Sequence, residues 1–147
     1  TVIEVYEVDP TSANRLTNLS VRGNVLTGSQ IMIPGIVIAP GTGTRRLLVR
    51  AAGPALAALN VTGVIADPTL TVVDASGRTI ATNDNWSSGT NANTLSATFA
   101  QVGAFAFPAG SRDAAVVVDL PPGNYTILVS GVNGSSGIAI TEVYELP

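Results

Sequence analysis

The chain contains no cysteine and no histidine, and its seven basic residues, Arg15, Arg22, Arg45, Arg46, Arg50, Arg78 and Arg112, leave no lysine either. Without Cys or His there is no thiol nucleophile, no disulfide, no Ser-His-Asp triad and no zinc or haem site of the common kinds. Without Lys there is no Schiff base, no phosphate-loop lysine and no amide cross-link from a side-chain amine to a carboxylate. Copies of such a chain are therefore held together noncovalently or as parts of one longer polypeptide. Charge is sparse at 12% of residues, and the net charge of -3 argues against a nucleic-acid partner, which needs a clustered basic surface. Arg45, Arg46 and Arg50 form the only basic cluster, and it is small. Aromatic residues make up 5%, and no apolar run approaches the length of a membrane-spanning helix, so membrane insertion is not expected.

What is present is a β-rich apolar chain. Hydrophobic residues reach 46%, with 15 Gly and 9 Pro spread along the sequence, which excludes a disordered polar chain. The 147 residues suffice for one packed domain and are too few for two ordinary ones. The first residue is Thr1, and no signal-like segment follows, so the chain reads as a mature or excised segment.

One repeat stands out. Ile3-Glu4-Val5-Tyr6-Glu7-Val8 recurs as Thr141-Glu142-Val143-Tyr144-Glu145-Leu146 at an offset of 138 residues, with four identical residues in a row at opposite ends of the chain. Both copies alternate apolar with acidic residues and read as half-buried strands whose carboxylates face solvent. This divides the chain into residues 1–9, a strand that duplicates the last strand, and residues 10–147, a β-sandwich.

Between the two copies lie short runs rich in Val, Ile and Thr, broken by turn residues. Strands are expected at 15–22, 30–39, 44–52, 69–74, 79–83, 113–120, 124–132 and 138–146, the spacing of an antiparallel sandwich of about eight or nine strands, jelly-roll or immunoglobulin-like. Pro54 opens one helical turn over 54–59. Leu95, Phe99 and Val102 share one face of a short helix over 93–102. The polar stretch from Asn83 to Thr94 reads as an exposed loop.

Four groups of residues invite a functional reading. Asn83, Asp84 and Asn85 offer oxygen ligands of the kind Ca²⁺ accepts, with Asp67 or Asp74 near enough in sequence to help, but calcium loops usually muster several carboxylates. An Asx-rich turn with Trp86 tucked against the sandwich is the plainer reading. Trp86, Tyr6, Tyr125 and Tyr144 could stack on sugars, although burial on strands explains most of them. Glu4, Glu7, Glu142 and Glu145 could supply a carboxylate pair for glycoside hydrolysis, but their place on alternating strands favours a solvated face and no enzymatic activity. Finally, Asn18, Asn60, Asn85, Asn124 and Asn133 each begin an Asn-x-Ser/Thr triplet, where chance gives about two. They are glycan acceptors in a cell with the machinery, or a by-product of Asn and Ser/Thr abundance in turns.

A series of motifs in order, Asn14-Arg15-Leu16-Thr17-Asn18-Leu19-Ser20-Val21-Arg22-Gly23, Arg46-Leu47-Leu48-Val49-Arg50-Ala51-Ala52-Gly53-Pro54, Ala66-Asp67-Pro68-Thr69-Leu70, Asp74-Ala75-Ser76-Gly77 and Asn83-Asp84-Asn85-Trp86, resembles a repeat domain of large secreted or surface proteins of environmental bacteria. The closing Leu120-Pro121-Pro122-Gly123-Asn124-Tyr125-Thr126 and Val143-Tyr144-Glu145-Leu146 are similar to the same repeat, and more loosely to bacterial pre-peptidase C-terminal sandwich domains. The resemblance implies an extracellular, non-catalytic β-sandwich, in which the Val-Tyr-Glu strand ending one repeat leads into the Arg-Leu-x-Asn-Leu-Ser segment of the next.

The expected role is structural: a subunit or tandem module of an extracellular bacterial filament or surface fibre. Its partners are copies of itself, joined head-to-tail through terminal strands by strand complementation or by chain continuity. Such heterologous contacts do not close, and fibres are their natural product. The competing expectation is a carbohydrate- or Ca²⁺-dependent adhesion module.

Overall fold

The computed structural model describes residues 3–6, 16–88 and 92–147. The alternation of apolar and polar residues resolves into eight strands: β1 (Asn18–Val25), β2 (Gly35–Ile38), β3 (Arg45–Ala52), β4 (Pro68–Asp74), β5 (Thr79–Asn83), β6 (Ala114–Leu120), β7 (Gly123–Gly131) and β8 (Gly137–Glu145). One α-helix, α1 (Ala92–Gln101), lies between β5 and β6, and single 3-10 turns occupy Gly28–Gln30, Pro54–Leu59 and Val132–Gly134. The strands form two antiparallel four-stranded sheets with orders β1-β8-β3-β6 and β2-β7-β4-β5. That is the strand order of a jelly roll, and it confirms the expected all-β sandwich.

The two sheets are covered differently. In β4 and β7 the apolar residues Leu70, Val72, Tyr125, Ile127 and Val129 point between the sheets, while their neighbours face outward. In β3, by contrast, nearly every residue is buried. Leu47, Val49 and Ala51 enter the core between the sheets. Leu48 and Ala52 enter a second cluster with Trp86, Leu95, Phe99 and Phe107. Helix α1 and the segment after it roof the outer face of the β1-β8-β3-β6 sheet, so its central strands have two dry faces. Gly53 is required where β3 ends, because a Cβ there would run into the carbonyl oxygen of Ile65.

Turn chemistry fixes the connections. Asp74 closes the β4–β5 hairpin: its carboxylate accepts from the Ser76 backbone N–H at 2.9 Å, the Ser76 hydroxyl at 2.6 Å and the Arg78 backbone N–H at 3.1 Å. Gly77 follows with φ of 84°. The Ser76 hydroxyl, then the Arg78 guanidinium 3.0 Å away, hold the Asp74 carboxyl well below the usual carboxylate range.

Two expectations need correction, and a third falls outside the described residues. The run 30–39 is not one strand: Met32 makes a lone bridge to Val129, and β2 begins only after Pro34, which lacks the N–H that a continuous ladder would use. Residues Ile3, Glu4, Val5 and Tyr6 carry no strand, while residues 1, 2 and 7–9, Glu7 and Val8 among them, lie outside the described residues. Arg15, the expected start of β1, also lies outside them.

β8 pairs with β1 and β3, with Asn18 opposite Tyr144 and Val25 opposite Gly137. The chain therefore enters β1 and leaves β8 at the same end of the sandwich.

Candidate functional site

The repeated motif is the feature whose setting the fold defines most sharply. In β8 each of its residues has a particular partner. Val143 packs on the core between the sheets. Glu142, one position earlier, points the other way, under the aromatic roof, and is 5% exposed. The expected solvent-facing carboxylate is thus wrong for Glu142, because helix α1 and Phe105 and Phe107 cover the face that simple alternation assigns to water. Its partner is Arg50 of β3, fully buried, with Nε 3.3 Å from Glu142 Oε2. The Arg50 guanidinium sits 4.4, 4.5 and 4.0 Å from the ring centres of Phe99, Phe105 and Phe107. Its three nitrogens have no hydrogen-bond partner among the described residues, so the cation is held by the carboxylate's charge and by the π faces. Burial lowers the Arg50 pKa, opposed by the Glu142 charge.

Tyr144 completes the group. Its hydroxyl donates to Glu142 Oε1 at 2.8 Å. Burial, then that hydrogen bond, pushes the Tyr144 phenol up to about 12. Glu145 forms an ion pair with Arg45 at 3.2 Å, and Leu146 packs in the layer beneath the roof.

The N-terminal copy stands in another setting. Tyr6 donates to Glu4 at 3.0 Å, repeating the bond between Tyr144 and Glu142. Contact with Glu4 raises the Tyr6 phenol as well. Yet Ile3, Val5 and Tyr6 are 80%, 54% and 72% exposed.

Val5 lies on a groove of about 310 Å³ that opens between the outer edges of the two sheets. The walls are Leu19 and Val21 of β1, Ile36 and Val37 of β2, and, deeper, Leu47 and Val143. Arg45, Thr42 and Glu145 also line it. The opposite side of the sandwich is tied shut: Asn83 of β5 accepts a hydrogen bond from the Ala115 backbone of β6 at 3.1 Å. Sequence reading found the repeated strands but neither Arg50 nor the groove.

The other candidates do not converge. Asn83 donates to the Asn85 carbonyl at 3.2 Å, and that carbonyl also accepts from the Ser88 hydroxyl at 2.7 Å. Asp67 pairs with Arg112 and Asp74 with Arg78, so neither joins Asp84. Among the described residues no three His, Cys, Asp or Glu side chains gather as metal ligands. Trp86 is 6% exposed, and its indole N–H donates to Ser111, whose hydroxyl donates to the buried Asp113. Tyr125 is buried in the other core, so Trp86 and Tyr125 present no common face to a sugar.

The Asn-x-Ser/Thr asparagines scatter over the surface. Asn60 and Asn133 sit at exposed turns with positive φ, Asn124 is exposed on β7, and Asn85 is half-buried. Asn18 uses its amide to donate to the Val143 carbonyl at 3.3 Å. Among the described residues no helix is long and apolar enough to cross a membrane.

No family model matches the chain, and no curated protein matches it by sequence. Among solved structures it is similar to the pre-peptidase C-terminal domain of a collagenase from Bacillus anthracis, at 14% identity and a TM-score of 0.51, over 93% of this chain and 99% of that one. At that identity the likeness is one of fold, and it agrees with the two-sheet sandwich built above.

Proposed function

We propose that the chain is a non-catalytic structural module of an extracellular bacterial filament or surface array, joined to further copies of itself through its terminal strand. The observation that carries this reading is the N-terminal segment. It repeats the sequence of β8, down to the hydrogen bond between Tyr6 and Glu4, but exposes the side chains that β8 covers. Exposed Ile3, Val5 and Tyr6 side chains on a segment outside the two sheets suit a docking strand better than a solvated segment.

The described surface supports this indirectly. Glu142, the carboxylate best placed to be unusual, is committed to Arg50 and Tyr144. The sequence resemblance to repeat domains of secreted bacterial proteins supports an extracellular setting. Because the chain enters and leaves at one end, a link made there leaves the rest of the sandwich surface free for display.

Deleting residues 1–9 tests the reading. The expected product melts as a folded monomer and forms no assemblies in negative-stain electron microscopy. Filaments or oligomers of unchanged length and yield after that deletion would overturn it.

A further inference from the structure

A docking strand needs a slot, and β8's own position is not free. β8 is bonded to β1 on one side and to β3 on the other. Its two faces are covered, by the core at Val143 and by the second apolar layer at Ile140 and Tyr144. An incoming copy must therefore pair elsewhere or expel a central strand.

The groove between β1 and β2 has what such a slot requires. Both strands are outermost in their sheets, so each has one edge without a neighbouring strand among the described residues. The lining is mainly apolar, with Arg45, Thr42 and Glu145 at one part of it, and Leu16, Leu19, Val21 and Val37, all exposed, gather there. The segment itself fits. An extended chain puts alternate side chains on opposite sides, so Ile3 and Val5 form one apolar row, while Glu4 and Tyr6, already hydrogen-bonded to each other, form the other. Val5 already lies against the groove.

We infer that the groove between β1 and β2 receives the N-terminal strand of a second copy of this chain, with Ile3 and Val5 turned into it and Glu4 and Tyr6 turned out. Within one copy Val5 touches its own groove. Exchange of that contact between copies is a domain swap, and because donor strand and acceptor groove are different surfaces the contact propagates as an open chain. The inference rests on the proposed structural role and names the acceptor site for it.

The absence of native cysteine makes the test clean. Chains carrying V5C are mixed with chains carrying V37C under mild oxidation and run on a non-reducing gel. Val37 is 70% exposed, so neither substitution disturbs the core. A mixed disulfide dimer, at least about fivefold more abundant than from either chain alone, is the expected result. In a parallel mixture V5C meets V49C, which lies opposite Val143 on β3. A mixed dimer there would put the incoming strand in the place of β8 and overturn the inference, as would the absence of a V5C–V37C dimer. The two levels separate: assembly that survives deletion of residues 1–9 defeats the structural role itself. Assembly that is lost on deletion, without the V5C–V37C product, defeats only the groove.

Discussion

The same four residues, Glu-Val-Tyr-Glu, occur at both ends of the chain with opposite fates. In β8 the first Glu is buried against Arg50, and the Tyr hydroxyl is held beneath the aromatic roof. Near the N-terminus, Glu4 and Tyr6 make the same bond at the surface. The local hydrogen bond is therefore a property of the i, i+2 spacing, whereas the energetic weight of the motif comes from what lies across from it. A carboxylate facing water is cheap to lose; one that neutralises a buried guanidinium is not.

The largest contrast is expected from removing the carboxylates. Glu142→Ala strands Arg50 without its counter-charge and is expected to cost about 3–5 kcal/mol in urea unfolding. Glu4→Ala is expected to stay within about 0.5 kcal/mol of the parent. Equal effects would break the comparison. Replacing both members of the buried pair, as Arg50→Met with Glu142→Gln, is expected to recover most of the Glu142→Ala loss, because no uncompensated charge remains.

Next in size is Tyr144. The Tyr144 phenol is pushed up to about 12 in the fold, above its ordinary value near 10. A raised pKa means the neutral phenol is favoured in the folded state, so its contribution is fully present below about pH 10 and is lost as pH climbs towards 12. Tyr144→Phe is expected to flatten that alkaline limb of the stability curve. Tyr6→Phe, at an exposed site, is expected to change it little. At the acid end the sign reverses for Asp74, whose carboxyl is held low. Its contribution is present above the usual carboxylate range and fades as pH falls below it. Asp74→Asn should therefore weaken the protein at neutral pH and blunt its acid sensitivity. The smallest effect on stability, with the largest on assembly, is expected for Val37→Asp on the groove wall.

Much of the sandwich was legible in the sequence because period-2 alternation and turn residues are local signals. Strand β5 falls where the sequence places it, at Thr79–Asn83, and the 3-10 turn at Pro54–Leu59 likewise. Helix α1 lies within a residue of its expected span at each end. The 30–39 run was misread across Pro34, and the misreadings of Glu142 and Arg50 share another cause. Alternation reports which residues share a face, not what covers that face. It separated Glu142 from Val143 correctly, but gave no sign that α1 and three Phe rings roof the outer side. Arg50, grouped by sequence with Arg45 and Arg46 as a small basic cluster, is fully buried instead, on the roofed face between Val49 and Ala51. The groove was illegible because it is made by two edges that meet only in three dimensions, one from residues before Val25 and one from residues after Pro34.

The central claim, that the N-terminal strand joins copies through this groove, is tested most directly by sedimentation velocity on two variants of the full chain. Val5→Asp spoils the strand and leaves the groove intact; Val37→Asp does the reverse. Each alone is expected to sediment as a monomer, and an equimolar mixture as a 1:1 dimer, since one good strand then meets one good groove and the chain can extend no further. Assemblies formed by either variant alone, or a mixture that stays monomeric, would contradict the account.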